Sequence, residues 1–218
     1  MKILLTTTSF QDTPGKHHDL LNFQNWDIDY LRGPVEESVL LPIIHKYDGV
    51  ICGDDEYTRE VIKAGKEGKL KVLSKYGVGL DRIDLEAAKE FGIDLHIIIG
   101  NHDTYYKNTN EVNSMEELVG KDRFKIYTGP EVVNFDGTDI VFMPWINANN
   151  YDESVNVLNT AKANILFGHL EINGFEMHRG QFAEGGWDRK LFRRFDTVFS
   201  GHFHHKSDDG QIYYLGTP

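Results

Sequence analysis

Asp94-Leu95-His96-Ile97-Ile98-Ile99-Gly100-Asn101-His102-Asp103 is an apolar strand that stops at a glycine and hands over to three polar side chains. A strand ending this way belongs at the carboxyl edge of a parallel or mixed sheet, where ligand crevices form. The glycine lets the backbone turn sharply there. The same arrangement returns as Phe167-Gly168-His169 and as Ser200-Gly201-His202-Phe203-His204. Each is a weak signal in a chain with 10 histidines, because a lone His is more often a surface or satisfied core residue. Ligand-type side chains after three Gly-punctuated strands together point to a metal site. Neutral imidazoles and an amide oxygen suit a divalent transition metal, Mn, Zn, Fe or Ni, with carboxylates to complete the shell.

Upstream of this stretch, strand and helix alternate. The pattern predicts strands over Lys2–Thr7, Trp26–Leu31, Gly49–Cys52 and Lys71–Ser74, with Asp94–Ile99 as the next. Helices are predicted over His17–Asn25, Val35–His45, Thr58–Ala64 and Asp84–Glu90, the last with Asp84 as N-cap and Gly92 as its stop. Strands separated by helices of this length imply right-handed βαβ units and a parallel sheet. Downstream the texture changes. A polar loop, Thr104–Asn113, precedes a short helix, Ser114–Leu118, and strands over Phe124–Tyr127, Glu131–Phe135 and Asp139–Pro144, with Asp136-Gly137 as a turn. A helix over Asn156–Ala163, a strand over Ile165–Phe167, a helix over Arg189–Phe195 and strands over Thr197–Ser200 and Gln211–Leu215 complete the pattern. The fold class expected is α/β, a parallel βαβ (flavodoxin-like) first half running into a mixed-sheet second half. No Pro- or Gly-rich linker separates the halves.

Composition is that of an ordinary soluble globular protein, with 40% hydrophobic and 26% charged residues. The apolar runs are strand-sized, too short to span a membrane, and the start of the chain has no secretory pattern. Cys52 is the only cysteine, so no intrachain disulfide can form and a cytoplasmic setting is expected. A net charge of −11 argues against holding nucleic acid on a broad basic surface. The one basic cluster, Arg189-Lys190 with Arg193-Arg194, reads as a solvated helix face. An acidic chain can still act on phosphates if metal ions supply the positive charge.

The three Gly-punctuated motifs, with Tyr214-Leu215-Gly216-Thr217-Pro218, resemble those of calcineurin-like metallophosphoesterases, most closely the recombination-nuclease branch of tailed phages. The resemblance covers residues 94–218, as the C-terminal part of such a domain, and makes the second half metallophosphoesterase-like. It implies that Asn101, His169 and His202 hold one metal and that His204 helps hold another. It further implies that His102 stabilises or protonates the leaving group while Asp103 orients it. The activity implied is phosphodiester hydrolysis of DNA, with a recombination ATPase subunit as partner. The family's opening Asp-x-His is absent, because Thr8 and Phe10 stand in those places. The dinuclear site is therefore expected to be incomplete and its activity doubtful. Gly53-Asp54-Asp55-Glu56 answers the family's second motif only superficially and reads better as acidic capping of the helix from Thr58. Asp54 as a surviving metal bridge is the alternative.

Residues 1–93 resemble something else. Lys2–Thr8, Asp48–Glu56 and Lys75-Tyr76-Gly77-Val78-Gly79-Leu80-Asp81-Arg82-Ile83-Asp84 are similar to the start of the substrate domain of D-2-hydroxyacid dehydrogenases of the phosphoglycerate type. That resemblance implies that Gly77 and Gly79 present backbone amides to a substrate carboxylate. The stretch from Gly77 is not a dinucleotide fingerprint, since Arg82 stands where the third glycine would be. Hydride transfer by this chain alone is not expected. The alternative function is accordingly a non-catalytic α/β module, or a partial dehydrogenase-like protein, that binds a small carboxylate. A natural fusion, an assembled chimera or a fragment completed by another chain would each produce this juxtaposition.

Overall fold

The computed structural model describes residues 1–12, 16–23, 25–75, 81–93, 96–119, 124–135 and 137–216. The chain divides into two compact units, Met1–Leu95 and His96–Thr217. The fold is α/β, and among the described residues it has two parallel sheets, one mixed sheet and a two-stranded antiparallel hairpin. Among the described residues no helix is long and apolar enough to cross a membrane.

The first unit is built on β1 (Lys2–Leu5), β2 (Asp27–Tyr30), β3 (Gly49–Cys52) and β4 (Val72–Lys75), all parallel in the order β2-β1-β3-β4. Its core joins Leu4, Val50 and Cys52 of the sheet to Leu40, Val61, Ile62, Ala87 and Ala88 of the helices. The helices are α1 (Thr8–Asp12), α2 (Lys16–Phe23), α3 (Glu37–Leu40), α4 (Arg59–Glu67) and α5 (Leu85–Glu90). Asp84 caps α5 as expected, accepting from the Ala87 amide at 2.9 Å, and Gly92 takes a positive φ of 66° beyond its end.

Three expectations for this unit need correction. The helix expected over Val35–His45 is only α3 followed by a 3-10 turn at Ile44–Lys46, because Pro42 has no N–H to continue the ladder. The opening strand stops at Leu5, so Thr8 and Phe10 lie on α1 and not at a strand end. The acidic run after β3 does not cap α4. Thr58 does that, accepting from the Val61 amide at 3.4 Å. Asp54 pairs with the Lys75 ammonium. Glu56 accepts from the Glu37 amide at 3.0 Å, which serves the start of α3. Asp55 is buried, accepting from the amides of Val35 at 2.8 Å and Gly53 at 3.2 Å and from the Thr6 hydroxyl. Gly77 and Gly79 lie outside the described residues.

The second unit opens with β5 (His96–Ile98), α6 (Ser114–Val119) and β6 (Lys125–Tyr127), β5 and β6 pairing in parallel. It continues through β7 (Glu131–Phe135), β8 (Thr138–Met143), α7 (Tyr151–Thr160) and β9 (Ile165–Gly168). A small hairpin follows, β10 (Glu176–His178) with β11 (Gln181–Phe182), and then β12 (Thr197–Ser200), β13 (Ser207–Asp208) and β14 (Ile212–Tyr214). The main sheet runs β13-β14-β12-β9-β8-β7. Its four inner strands are parallel, and β7 and β13 are antiparallel to their neighbours. β7 and β8 pair as a hairpin with Phe135 opposite Thr138, and Asp136 of the expected turn lies outside the described residues.

One face of this sheet carries Val141, Met143, Leu166, Val198, Ile212 and Tyr214 against Leu158, Phe192 and Phe195. The other carries a ladder of rings. Phe142, Phe167, Phe199 and Tyr213 are direct neighbours in the register of four adjacent strands. Successive centroids are 6.0, 5.0 and 5.6 Å apart, and Tyr127 extends the row beyond Phe142 at 4.4 Å. Offset contacts of this kind add roughly 0.5–1.5 kcal/mol per pair beyond area burial.

Two helices differ from expectation here. The helix expected at Asn156–Ala163 begins at Tyr151, with Asp152 and Glu153 placed to favour its amino end. The one expected at Arg189–Phe195 is a 3-10 turn, Arg189–Phe192, capped by Asp188. Arg189 is no solvated point charge. Its guanidinium stacks on Phe175 at 4.2 Å and donates to the Gly174 carbonyl at 2.6 Å.

Candidate metal centre

Strands β5, β8, β9 and β12 each end in a turn that delivers side chains to one place. The chain leaves β5 through Ile99 and Gly100, and the Ile99 carbonyl accepts from the Trp145 amide at 2.8 Å. The His169 amide donates to the Met143 carbonyl at 3.0 Å, and the Gly201 amide to the Gly168 carbonyl at 3.2 Å. These bonds hold the Gly100, Pro144, His169 and Gly201 turns side by side.

Three of the expected ligands meet there. The Nε2 atom of His169 is 2.8 Å from Asn101 Oδ1 and 3.2 Å from His202 Nδ1. His169 stands against Gly100 so closely that a Cβ on that glycine would lie 2.7 Å from its Cε1. Burial is the main force that pushes the His169 imidazole down to about 3, helped by the charges that His202, His102 and His204 would carry. The His202 imidazole is lowered too, mainly by burial, while Glu171 opposes the shift. Both rings are therefore neutral at physiological pH and keep a lone pair to offer. His102 and His204 are exposed and near enough for their charges to act on the pair. Asp103 accepts from the Gly100 amide at 2.7 Å, which closes the turn that carries Asn101.

The arrangement fits one cation. Atoms bound about 2.1 Å from a single ion lie about 3 Å apart at octahedral angles and about 3.4 Å apart at tetrahedral ones, near the 2.8 and 3.2 Å spacings found. Without a cation, an Nε2–H of His169 that donates to Asn101 Oδ1 leaves His202 Nδ1 only a shared, three-centre hydrogen bond. A shared cation satisfies all three atoms. The set is short of anionic ligands. Among the described residues no group of three or more His, Cys, Asp or Glu side chains is arranged to hold a metal, because only two imidazoles converge and the third donor is an amide.

Two neighbours were not read from the sequence. Trp145 tilts over His202 at 5.2 Å and meets His169 edge-on at 6.3 Å. Glu171 places Oε2 4.0 Å from His202 Nε2. A signal for each existed. Trp145 follows β8 at the same sheet edge, and Glu171 follows His169 by two residues.

Behind Trp145 lies a lattice of amides. Its carbonyl accepts from Asn110 at 2.8 Å and Asn150 at 3.0 Å, and Asn147 donates to Asn110 at 2.9 Å. The polar loop expected at 104–113 is thus stapled to the turn after β8.

Comparison with known proteins bears on both parts of the chain. Residues 7–103 match the family D-isomer specific 2-hydroxyacid dehydrogenase, catalytic domain. Exonuclease subunit 1 of Enterobacteria phage T4 is 36% identical over 190 residues, covering 77% of this chain and 56% of that protein. Hydroxypyruvate reductase of Thermotoga maritima is 40% identical over 60 residues, covering 27% of this chain and 19% of that protein. Among solved structures, an NAD⁺-bound 3-phosphoglycerate dehydrogenase of Entamoeba histolytica aligns at 16% identity with a TM-score of 0.37, over 92% of this chain and 71% of that one. The chain therefore carries both resemblances read from its motifs, to a phage recombination nuclease of metallophosphoesterase type and to a 2-hydroxyacid dehydrogenase segment. It spans 56% of the length of the exonuclease subunit. The matched ranges overlap. The dehydrogenase match runs through Asp103, and residues 94–218 alone are too few to supply the coverage of the exonuclease match.

Proposed function

We propose that this chain is a metal-dependent phosphodiesterase of the recombination-nuclease type that acts on DNA, with a dinuclear site only part of which is built. The observation that carries the reading is that His169 Nε2 lies 2.8 Å from Asn101 Oδ1 and 3.2 Å from His202 Nδ1, beyond the carboxyl ends of β5, β9 and β12. These residues would hold one divalent transition metal, Mn first and Zn, Fe or Ni next, and His204 belongs to a second position. When bound, the metal supplies Lewis-acid charge to a phosphodiester oxygen.

The chain's own groups do the rest. His102, exposed beside Asn101, donates a proton to the leaving oxygen, and Asp103 fixes the turn that aims it. Neutral His169 and His202 keep the centre free of competing positive charge. On this reading residues 94–218 form the metallophosphoesterase-like domain, and residues 1–93 a flavodoxin-like βαβ segment. The homologous phage protein is an exonuclease subunit, which supports DNA as substrate and a recombination ATPase subunit as partner. A net charge of −11 agrees with DNA affinity that relies on such a partner.

Calorimetric titration with Mn²⁺ tests the reading. About one ion per chain is expected, with binding abolished in His169→Ala/His202→Ala. Binding that survives the double substitution, or none in the parent, would sink it. The family match over residues 7–103 favours a second reading, a non-catalytic module that binds a small carboxylate at Gly77 and Gly79. There, Gly77→Val abolishes carboxylate binding and the His substitutions leave it intact.

A further inference from the structure

The loop that follows His102 holds two aromatic rings in water. Tyr105 is 78% exposed and Tyr106 53%. Single exposed aromatic residues are ordinary surface features. This pair differs in how firmly its loop is fixed. Thr104 and Asn113 form an antiparallel bridge, the Tyr105 amide donates to the Val112 carbonyl at 2.9 Å, and the Ser114 amide to the Asp103 carbonyl at 2.8 Å. On the far side, the Asn149 amide donates to the Asn108 carbonyl at 3.1 Å, and Asn113 donates to the Asn110 carbonyl at 2.9 Å. The loop is tied at its base, through its middle and to the turn bearing Trp145. These bonds fix the backbone from which the two rings project.

The rings meet edge to face, 4.8 Å apart at 84°. One edge rests on the other's face, which leaves ring faces open to a planar, π-rich ligand. The exposed apolar surface is two rings and Val112. That is far below the roughly 800 Å² per partner of a stable protein interface, and it matches one or two nucleobases. Lys107, the loop's one lysine or arginine, follows directly, and the rest of the loop is rich in amide and hydroxyl groups that suit base edges and sugars.

We infer that Tyr105 and Tyr106 are a stacking platform for an unstacked base of a single-stranded nucleic acid that approaches the candidate metal centre. The inference rests on the nuclease reading above. It specifies that the strand arrives single-stranded or frayed, and that grip comes from stacking, which an acidic chain can supply where it lacks a basic groove. Stacking of a base on an aromatic side chain is tolerant of sequence, so the platform sets strand type and not base identity.

Fluorescence anisotropy of a labelled oligothymidylate with the full chain in EDTA tests this, since stacking needs no metal. Tyr105→Ala/Tyr106→Ala is expected to weaken binding on the order of tenfold or more, and Tyr105→Phe/Tyr106→Phe to retain it. An abasic oligomer of the same length is expected to bind the parent as weakly as the Ala variant binds thymidylate. Equal binding by parent and Ala variant, or no preference of the parent for the oligomer with bases, would overturn the platform, and docking of a protein partner would then own the pair. Mn²⁺ titration of the same samples separates the two readings. Loss of ion binding with Tyr-dependent oligomer binding intact removes the nuclease reading alone. Ion binding with Tyr-independent oligomer binding removes the platform alone.

Discussion

Gly100→Ala is the sharpest single perturbation of the candidate centre, because it removes no donor atom. Gly100 has an ordinary backbone conformation, so the methyl group is free of dihedral strain. It meets instead the His169 ring, at 2.7 Å from Cε1, 2.9 Å from Nδ1 and 3.0 Å from Nε2. Ordinary contact begins near 3.4 Å, so the imidazole must retreat by about 0.7 Å at its closest atom. The ring is held at 2.8 Å from Asn101 and 3.2 Å from His202, and a retreat of that size breaks the spacing that suits one ion. Overpacking of this kind costs about 1–3 kcal/mol where side chains cannot yield. A histidine with two free torsions falls at the lower end, about 1 kcal/mol of folding stability. Ion affinity falls more, on the order of tenfold to a hundredfold. Gly201→Ala is the matched control, since an added Cβ there meets nothing within 4 Å. Parallel urea melts and Mn²⁺ titrations of the two variants decide the matter. If Gly100→Ala binds the ion like the parent, or Gly201→Ala loses as much, the packed ring is not what sets the site.

Three further outcomes follow from the same geometry. Asp55→Ala leaves the buried Val35 and Gly53 amides and the Thr6 hydroxyl without their acceptor, and should lower the stability of the first unit by about 2–4 kcal/mol in urea unfolding; an unchanged midpoint would refute it. Burial pushes the Cys52 thiol up to about 12, so a disulfide reagent at mildly alkaline pH should label it only at the rate of unfolding. Because the folded value is raised, its contribution to stability is full below the unfolded value near 9 and is lost as pH rises from there toward about 12. In metal-free protein His169 works in the opposite direction. With its folded value near 3 against 6.5 unfolded, the unfolded chain takes up the proton first. Stability is full above 6.5 and falls as pH drops toward 3, and His169→Gln should flatten that slope in thermal melts.

The strand ends were legible because Gly100, Gly168 and Gly201 each punctuate an apolar run, and that local pattern carries the sheet edge with it. Pro42 is equally local, and it is what limits the helix expected over Val35–His45 to α3 and a 3-10 turn. Asp55, by contrast, was opaque. An acidic run just before a helix reads as its cap until the Val35 amide, 20 residues away, is seen to need Asp55 as its acceptor. The amide lattice that includes Asn110, Asn147 and Asn150 depends on a bond spanning 37 residues, from Asn147 to Asn110, beyond any short-range period. For the site, donor identity was readable one residue at a time. The edge-on packing of Trp145 and the approach of Glu171 depend on where turns stop, which spacing alone does not specify.

The row of rings on the second unit's sheet has a consequence for how the centre keeps its dimensions. Phe167 and Phe199 face each other across β9 and β12, and His169 and His202 lie two and three residues beyond them. A slip of one residue between these strands would exchange their faces and carry one histidine about 3.3 Å along the sheet, as far as the whole 3.2 Å gap between the two ring nitrogens. The rungs thus work as a gauge, fixing the height at which each loop begins. Loops grafted onto this edge would inherit the gauge, and only those cut to its length would bring their donors level.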